Sequence, residues 1–303
     1  MAIEYIKVLN TLNYKITVVS RSQKNFDVIK KNYTNTNCIC SKNLEIKEKI
    51  KGFDFAINCV SIKSLYKVTC KFIQLGLKKI LIEKPGVLRK SELDSLITLS
   101  ENQDLILKIA LNRRHYSSAI YIKNKINNLN ISSAHLDFTE WIKGINNSQY
   151  DKLSLKKWLY SNSIHVIDMF FYLFGFPEKF EFYQYGKGNL SWHPSASIFF
   201  GKGNFKSNIK FTSKADWNGH GRWGIEIVSK EYKYILSPLE KVKKMGLENF
   251  DICNVELENK DDLEFKPGLK KMILDFHSND FERFITLYDY KKTLRIIDSI
   301  GGY

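Results

Sequence analysis

The chain has 303 residues, 44% of them hydrophobic and 26% charged, enough length for two domains of ordinary size and enough apolar content for a proper core. Its formal net charge is +15, but the basic residues are spread along the chain with no run of five or more. A diffuse basic surface suits anionic small molecules and specifies no nucleic-acid site. The apolar stretches fall well short of a membrane span, and no charged-then-apolar signal pattern opens the sequence. Five cysteines, an odd count without paired zinc spacing, point to a reducing cytoplasm.

The opening "MAIEYIKVLNTLNY" carries Ile6, Leu9 and Leu12 at helical spacing, so a helix begins at the first residues. "KITVV" (15–19) reads as a strand and "SQKNFDVIKKNY" (22–33) as a helix with Ser22 as its N-cap. "NCIC" is a short strand, "NLEIKEKI" (43–50) a helix, and "FDFAINCV" (53–60) a strand. "SLYKVTCKFIQLG" (64–76) is a helix closed by Gly76, followed by the strand "KKILIEKP" (78–85). The helix "SELDSLITLSENQ" (91–103), opening on Ser91, and the strand "DLILKIALN" (104–112) complete a βαβ rhythm that means a parallel sheet.

After about residue 115 the rhythm changes. A helix ("SSAIYIKNKINNL"), a strand ("SSAHLDFTEW") and one long helix ("SLKKWLYSNSIHVIDMFFYLFG") precede a series of strands with little helix between them. Two helical patterns, "PGLKKMILDFHSNDFERFIT" and "YKKTLRIIDSI", close the chain. The expected architecture is α/β, a Rossmann-like doubly wound parallel sheet lacking its first strand, plus an α+β second domain with a mostly antiparallel sheet. The expected division is 1–114 for an incomplete dinucleotide-binding domain and 115–303 for an α+β substrate and oligomerisation domain. In such a fold a first strand and a glycine-rich turn precede the helix that opens this sequence, and the strands "KITVV" and "FDFAINCV" would be left without their shared neighbour. The simplest expectation is that Met1 is an internal methionine of a longer protein.

Ligands of open parallel sheets bind beyond the carboxyl ends of the strands. Those ends supply Ser20, Arg21 and Ser22, then Cys59, then Glu83, Lys84 and Pro85 as cofactor-binding candidates. No acidic residue ends the "KITVVSRS" strand, and Arg21 with two hydroxyls suits a ribose 2′-phosphate, so NADP is expected over NAD. Lys84, held by Pro85, could exchange a proton with a substrate hydroxyl, or simply be a solvated turn lysine. His165 and Asp168 stand three apart on an apolar helix, as a catalytic acid/base with its carboxylate or as a satisfied core pair.

Taken in order, "EKP" after its strand, "LNRRHY" after the next, and "IHVIDMFFYLFG" on a fresh helix resemble the Gfo/Idh/MocA oxidoreductases over nearly the whole chain. The resemblance implies a nicotinamide-dependent enzyme that moves a hydride to or from a sugar or nucleotide-sugar carbon. It implies that Lys84 reaches the substrate hydroxyl beside the nicotinamide, with His165 and Asp168 as further catalytic groups. Asn112, Arg113 and Arg114 would line the pocket, and Trp217, His220 and Arg222 would form a sugar-contacting wall or merely pack a loop. The second-domain sheet would pair two copies. The sequence departs from the family at Ser161, where an aspartate is common four residues before the histidine, and in having no G-x-G-x-x-G turn. Both departures favour the alternative, a catalytically inactive truncated relative that serves as a binding or assembly protein.

Overall fold

The computed structural model describes residues 1–33, 35–41, 52–145, 147–248 and 250–303; the helix expected at 43–50 lies outside them. Helix α1 (Ala2–Thr11) buries Tyr5, Ile6, Val8 and Leu9 on one face, the face that the apolar spacing anticipates. Strand β1 (Ile16–Ser20) pairs in parallel with β2 (Thr36–Cys40). The helix between them, α2 (Phe26–Asn32), starts later than expected, with Asn25 at its N-cap. Ser22 does not cap it; its hydroxyl accepts from the Lys24 N–H in the preceding turn, at 3.2 Å.

Strands β3 (Ala56–Asn58), β4 (Lys79–Glu83) and β5 (Ile106–Ala110) form a separate parallel sheet in that order. Helices α3 (Leu65–Gln74) and α4 (Lys90–Gln103) are its crossovers. Ile80, Leu81 and Ile82 are fully buried in succession, as a parallel strand covered on both faces requires. β1 and β3 share no hydrogen-bonded neighbour, so the parallel layer is split at the place expected from the sequence.

The second domain begins with α5 (Ser117–Ile126) and β6 (Ile131–Asp137). The long helix expected over 154–175 is broken: α6 (Lys152–Lys156) is followed by a π-turn over Leu159–Ser163 and then α7 (Ile164–Phe174). Seven further strands join β6: β7 (Pro177–Tyr185), β8 (Ile198–Phe205), β9 (Lys210–Asp216), β10 (Gly224–Ser229), β11 (Tyr232–Leu236), β12 (Lys243–Gly246) and β13 (Cys253–Asn254). The eight-stranded sheet runs β13-β12-β11-β10-β6-β9-β8-β7, antiparallel throughout except for the β6–β9 pair. One face is covered by α7, whose Phe170 ring meets Phe205 and Phe211 at 5.5 and 5.8 Å.

The chain then returns to the first domain. After α8 (Lys260–Glu264), helix α9 (Leu269–Ser278) buries Leu269, Met272, Ile273 and Phe276 against Tyr5, Ile6, Leu9, Leu81 and Ala110. Helix α10 (Leu287–Gly301) lies against both α4 and β7. Helices that follow residue 114 therefore build part of the first domain's core. Among the described residues no helix is long and apolar enough to cross a membrane.

Candidate functional site

β4 delivers its last residue, Glu83, and the following Lys84 to the carboxyl edge of the parallel sheet. The turn that follows is held tightly. The Lys84–Pro85 peptide is cis, Gly86 has φ 72°, its N–H donates to Glu83 O at 2.9 Å, and Tyr290 donates its hydroxyl to Pro85 O at 2.6 Å. Alanine at position 86 would place its Cβ 2.6 Å from Ile109 Cδ1, so glycine is needed there on two counts.

Glu83 and Lys84 turn in opposite directions. Glu83 faces inward and accepts the Tyr5 hydroxyl at 2.6 Å, a structural engagement rather than the cofactor contact anticipated for it. Lys84 points towards the second domain and donates to the Ser161 carbonyl at 2.7 Å. Burial pulls its ammonium down to about 8; Glu83 and Glu140 resist that fall, while Arg113 and Lys266 add to it. The lysine is thus poised to gain or lose a proton near neutrality.

The π-turn presents three consecutive residues to this region, as π-turns often do at functional sites. Ser161 offers its carbonyl to Lys84 and ties its own hydroxyl back to Ser154 O at 2.8 Å. Asn162 and Ser163 donate to the Glu140 carboxylate at 2.9 and 2.6 Å. Glu140 follows β6 and is buried, which pushes its carboxyl up even though Ser163, Asn162 and Lys84 draw it down. Sequence reasoning missed it. The available signal was a single acid set between aromatic residues in "DFTEW".

His165 opens α7 and is buried, with Nδ1 lacking any hydrogen-bond partner. Burial, with the charges of Arg113, Lys84 and Lys266, holds its imidazole well below the ordinary histidine range, so it is neutral. The expected partnership with Asp168 is not made. Asp168 lies one turn deeper and accepts a bidentate pair from Arg114, at 2.8 and 2.7 Å. That pair engages both the Asp168 carboxylate and the Arg114 guanidinium away from His165.

Two further corrections concern the substrate wall. Asn112 donates to Pro267 O at 2.9 Å and is buried. Trp217 is fully buried, stacks on Trp192 and donates to Phe138 O, so it packs the second domain. Arg222 does face a cleft, of about 230 Å³, shared with Arg113, Glu140, Trp141, Trp223 and Glu240. His220 is exposed.

On the cofactor side, Ser20 accepts from the Ser22 N–H at 3.3 Å and Arg21 is exposed at the end of β1. Cys59, after β3, has its thiol pushed up to about 11 by burial and Glu83, opposed by the amino group of Met1. An exposed arginine with two serines and the Lys84 amine thus stand at carboxyl ends of the parallel strands.

No family model matches the sequence, and no curated protein matches it. Solved structures do. A dehydrogenase (MviM) from Clostridium difficile superposes with TM-score 0.76 at 18% identity, covering 98% of this chain and 93% of that one. The UDP-N-acetylglucosamine 3-dehydrogenase of Acidithiobacillus ferrooxidans gives 0.72 at 13%, covering 98% and 91%. An oxidoreductase from Agrobacterium radiobacter, solved with NAD+, L-tartaric acid and magnesium, gives 0.71 at 11%, covering 98% and 91%. These neighbours are named as dehydrogenases and oxidoreductases, and this chain has their two-domain fold.

Proposed function

We propose that the protein is a nicotinamide-dependent oxidoreductase acting on a carbinol or carbonyl carbon of a sugar or nucleotide sugar. The observation that carries this reading is Lys84: a part-buried amine at the carboxyl edge of the parallel sheet, with a histidine held towards its neutral form and a buried carboxylate near it. Dehydrogenases share the fold, and one of them is named for a nucleotide sugar and another was solved with NAD+.

A bound nicotinamide dinucleotide supplies the hydride acceptor or donor. The chain's own residues do the rest. Ser20, Arg21 and Ser22 hold the adenosine ribose end, with Arg21 suited to a 2′-phosphate and hence to NADP over NAD. Cys59, just after β3, lies on the path of the phosphates. Lys84 takes or gives the proton of the reacting oxygen, and His165, uncharged with a free ring nitrogen, shares that proton. Glu140 steadies the charge on Lys84 and is itself held by Asn162 and Ser163.

The test is a fluorescence titration with NADPH and NADH, followed by turnover with a panel of hexoses. NADPH should bind more tightly, and Arg21→Ala should shrink its advantage by roughly ten- to a hundredfold, the scale of one charge-assisted contact. Lys84→Met should keep NADPH binding and lose about a hundredfold in turnover. Failure to bind either nucleotide would overturn the reading in favour of a non-catalytic binding or assembly protein, which the split parallel layer would then explain.

A further inference from the structure

The sequence places two arginines side by side, and the structure treats them differently. Arg114 is saturated by the Asp168 carboxylate. Arg113 is not. Its Nε is buried without a hydrogen-bond partner, although the residue as a whole is partly accessible. Its one hydrogen bond runs from Nη1 to Asn112 Oδ1 at 3.4 Å. No ion pair reaches it among the described residues; Glu140 and Glu240 act on it from a distance. Its guanidinium lies over the Trp223 ring at 5.0 Å and the Tyr116 ring at 5.7 Å, which fixes its plane and leaves an edge free. A partly buried guanidinium with unused donors is costly unless something pairs with it. It lines the cleft beside the proposed catalytic cluster.

We infer that Arg113 is the receptor for an anionic group of the substrate, which is a monosaccharide bearing a carboxylate or a phosphoryl group. The inference rests on the proposed assignment of this cleft to the substrate. The Nη donors of Arg113 match two oxygens of a planar carboxylate or of a phosphoryl group, side by side, without calling on the buried Nε. Arg222, exposed on the same cleft and without a hydrogen-bond partner among the described residues, adds a second positive charge at the mouth. Glu240 on the same wall offers carboxylate oxygens to hydroxyls, so a single acidic group with a hydroxylated ring suits the lining. Trp141, 68% exposed at the rim, and Trp223 offer flat apolar faces to that ring. A cleft of about 230 Å³ lies below the roughly 300–1,000 Å³ of pockets that bury drug-sized ligands, so it holds one sugar ring rather than a whole nucleotide sugar.

The test is calorimetric titration, with and without NADPH, of D-glucuronate, D-galacturonate and glucose 6-phosphate against glucose and galactose. At least one anionic sugar should bind roughly tenfold or more tightly than its neutral parent, the scale of one hydrogen-bonded charge pair. Arg113→Met should abolish that preference; Arg113→Lys should remove most of it, because lysine keeps the charge and loses the fork. Arg222→Ala should lower affinity severalfold. Preference for a uronate assigns the carboxylate and preference for the phosphate assigns the phosphoryl group. Absence of any preference for an anion, or its survival in both Arg113 variants with native-like melting curves, would overturn the inference. Anion-selective sugar binding without nicotinamide binding would remove the oxidoreductase reading alone, whereas turnover of neutral hexoses without anion preference would remove only this one.

Discussion

His165 and Lys84 are ionisable groups that the fold holds away from their ordinary behaviour, and their effects on stability can be worked out in sign. Folding lowers the pKa of both, through burial first and neighbouring cations second. An unfolded chain takes a proton on histidine near pH 6.5, which the native His165 refuses. The unfolded state therefore binds more protons, and stability falls as pH drops through about 6.5. In urea melts between pH 7 and 5, His165→Gln should flatten that loss relative to the parent protein; superimposable profiles would show that His165 is charged or exposed. For Lys84 the window lies between its native value of about 8 and the free lysine value of about 10.4, and stability rises with pH across it. Both residues were legible as candidates, because a lysine fixed by a proline at a strand end and a histidine on an apolar helix are local patterns. The partner of Asp168 was not. Helical spacing offered His165 three residues away, while the guanidinium that takes the carboxylate stands 54 residues earlier in the chain. Glu140 was invisible for a related reason, since only the fold brings the Ser163 hydroxyl, 23 residues on, to its carboxylate.

At the scale of elements, the alternation of strands and helices was readable from apolar period and turn residues, and the parallel and antiparallel halves appear in the expected order. What period could not show was the break at Leu159–Ser163. A π-turn inserts without disturbing the apolar character on either side, so "WLYSNSIHVID" still reads as continuous helix. The break is fixed by distant groups: Tyr160 donates to Asp298 at 2.6 Å, and the Tyr303 hydroxyl accepts the Leu159 N–H at 3.3 Å. The opposing element is the turn after β4, where the demand on backbone shape is strongest. Gly86→Ala forces a side chain into left-handed backbone, at a cost of about 1–3 kcal/mol, and presses on Ile109. The expected result is a loss of stability of that size by urea denaturation, with NADPH turnover reduced beyond it because Lys84 is displaced. A variant as stable and active as the parent would mean that the turn does not aim the lysine.

At the scale of the whole molecule, the returning C-terminal helices decide how the domains are joined. Helix α9 completes the core under α1 and β4, and its Asp275 is buried. Burial opposes the charge on that carboxylate, but His115, Arg283 and Lys271 all bond to it and hold it well below the usual carboxylate range. The His115 contact, at 3.0 Å, ties the turn leading into the second domain to the helix that returns from it. Helix α10 carries the same connection onward by touching α4 on one side and β7 on the other. Neither domain therefore has a complete core without chain that passes through the other, and calorimetric unfolding should show one transition rather than two. Asp275→Ala strands Arg283 and Lys271 beside a buried gap, a change of roughly 3–5 kcal/mol for breaking a buried pair. In a chain of this size that corresponds to a fall of about 5–8 °C in Tm. The whole transition should move together, since the helix that is weakened belongs to both halves. A first-domain transition that drops while the second stays in place would show that the two cores fold independently and that α9 merely rests on the surface between them.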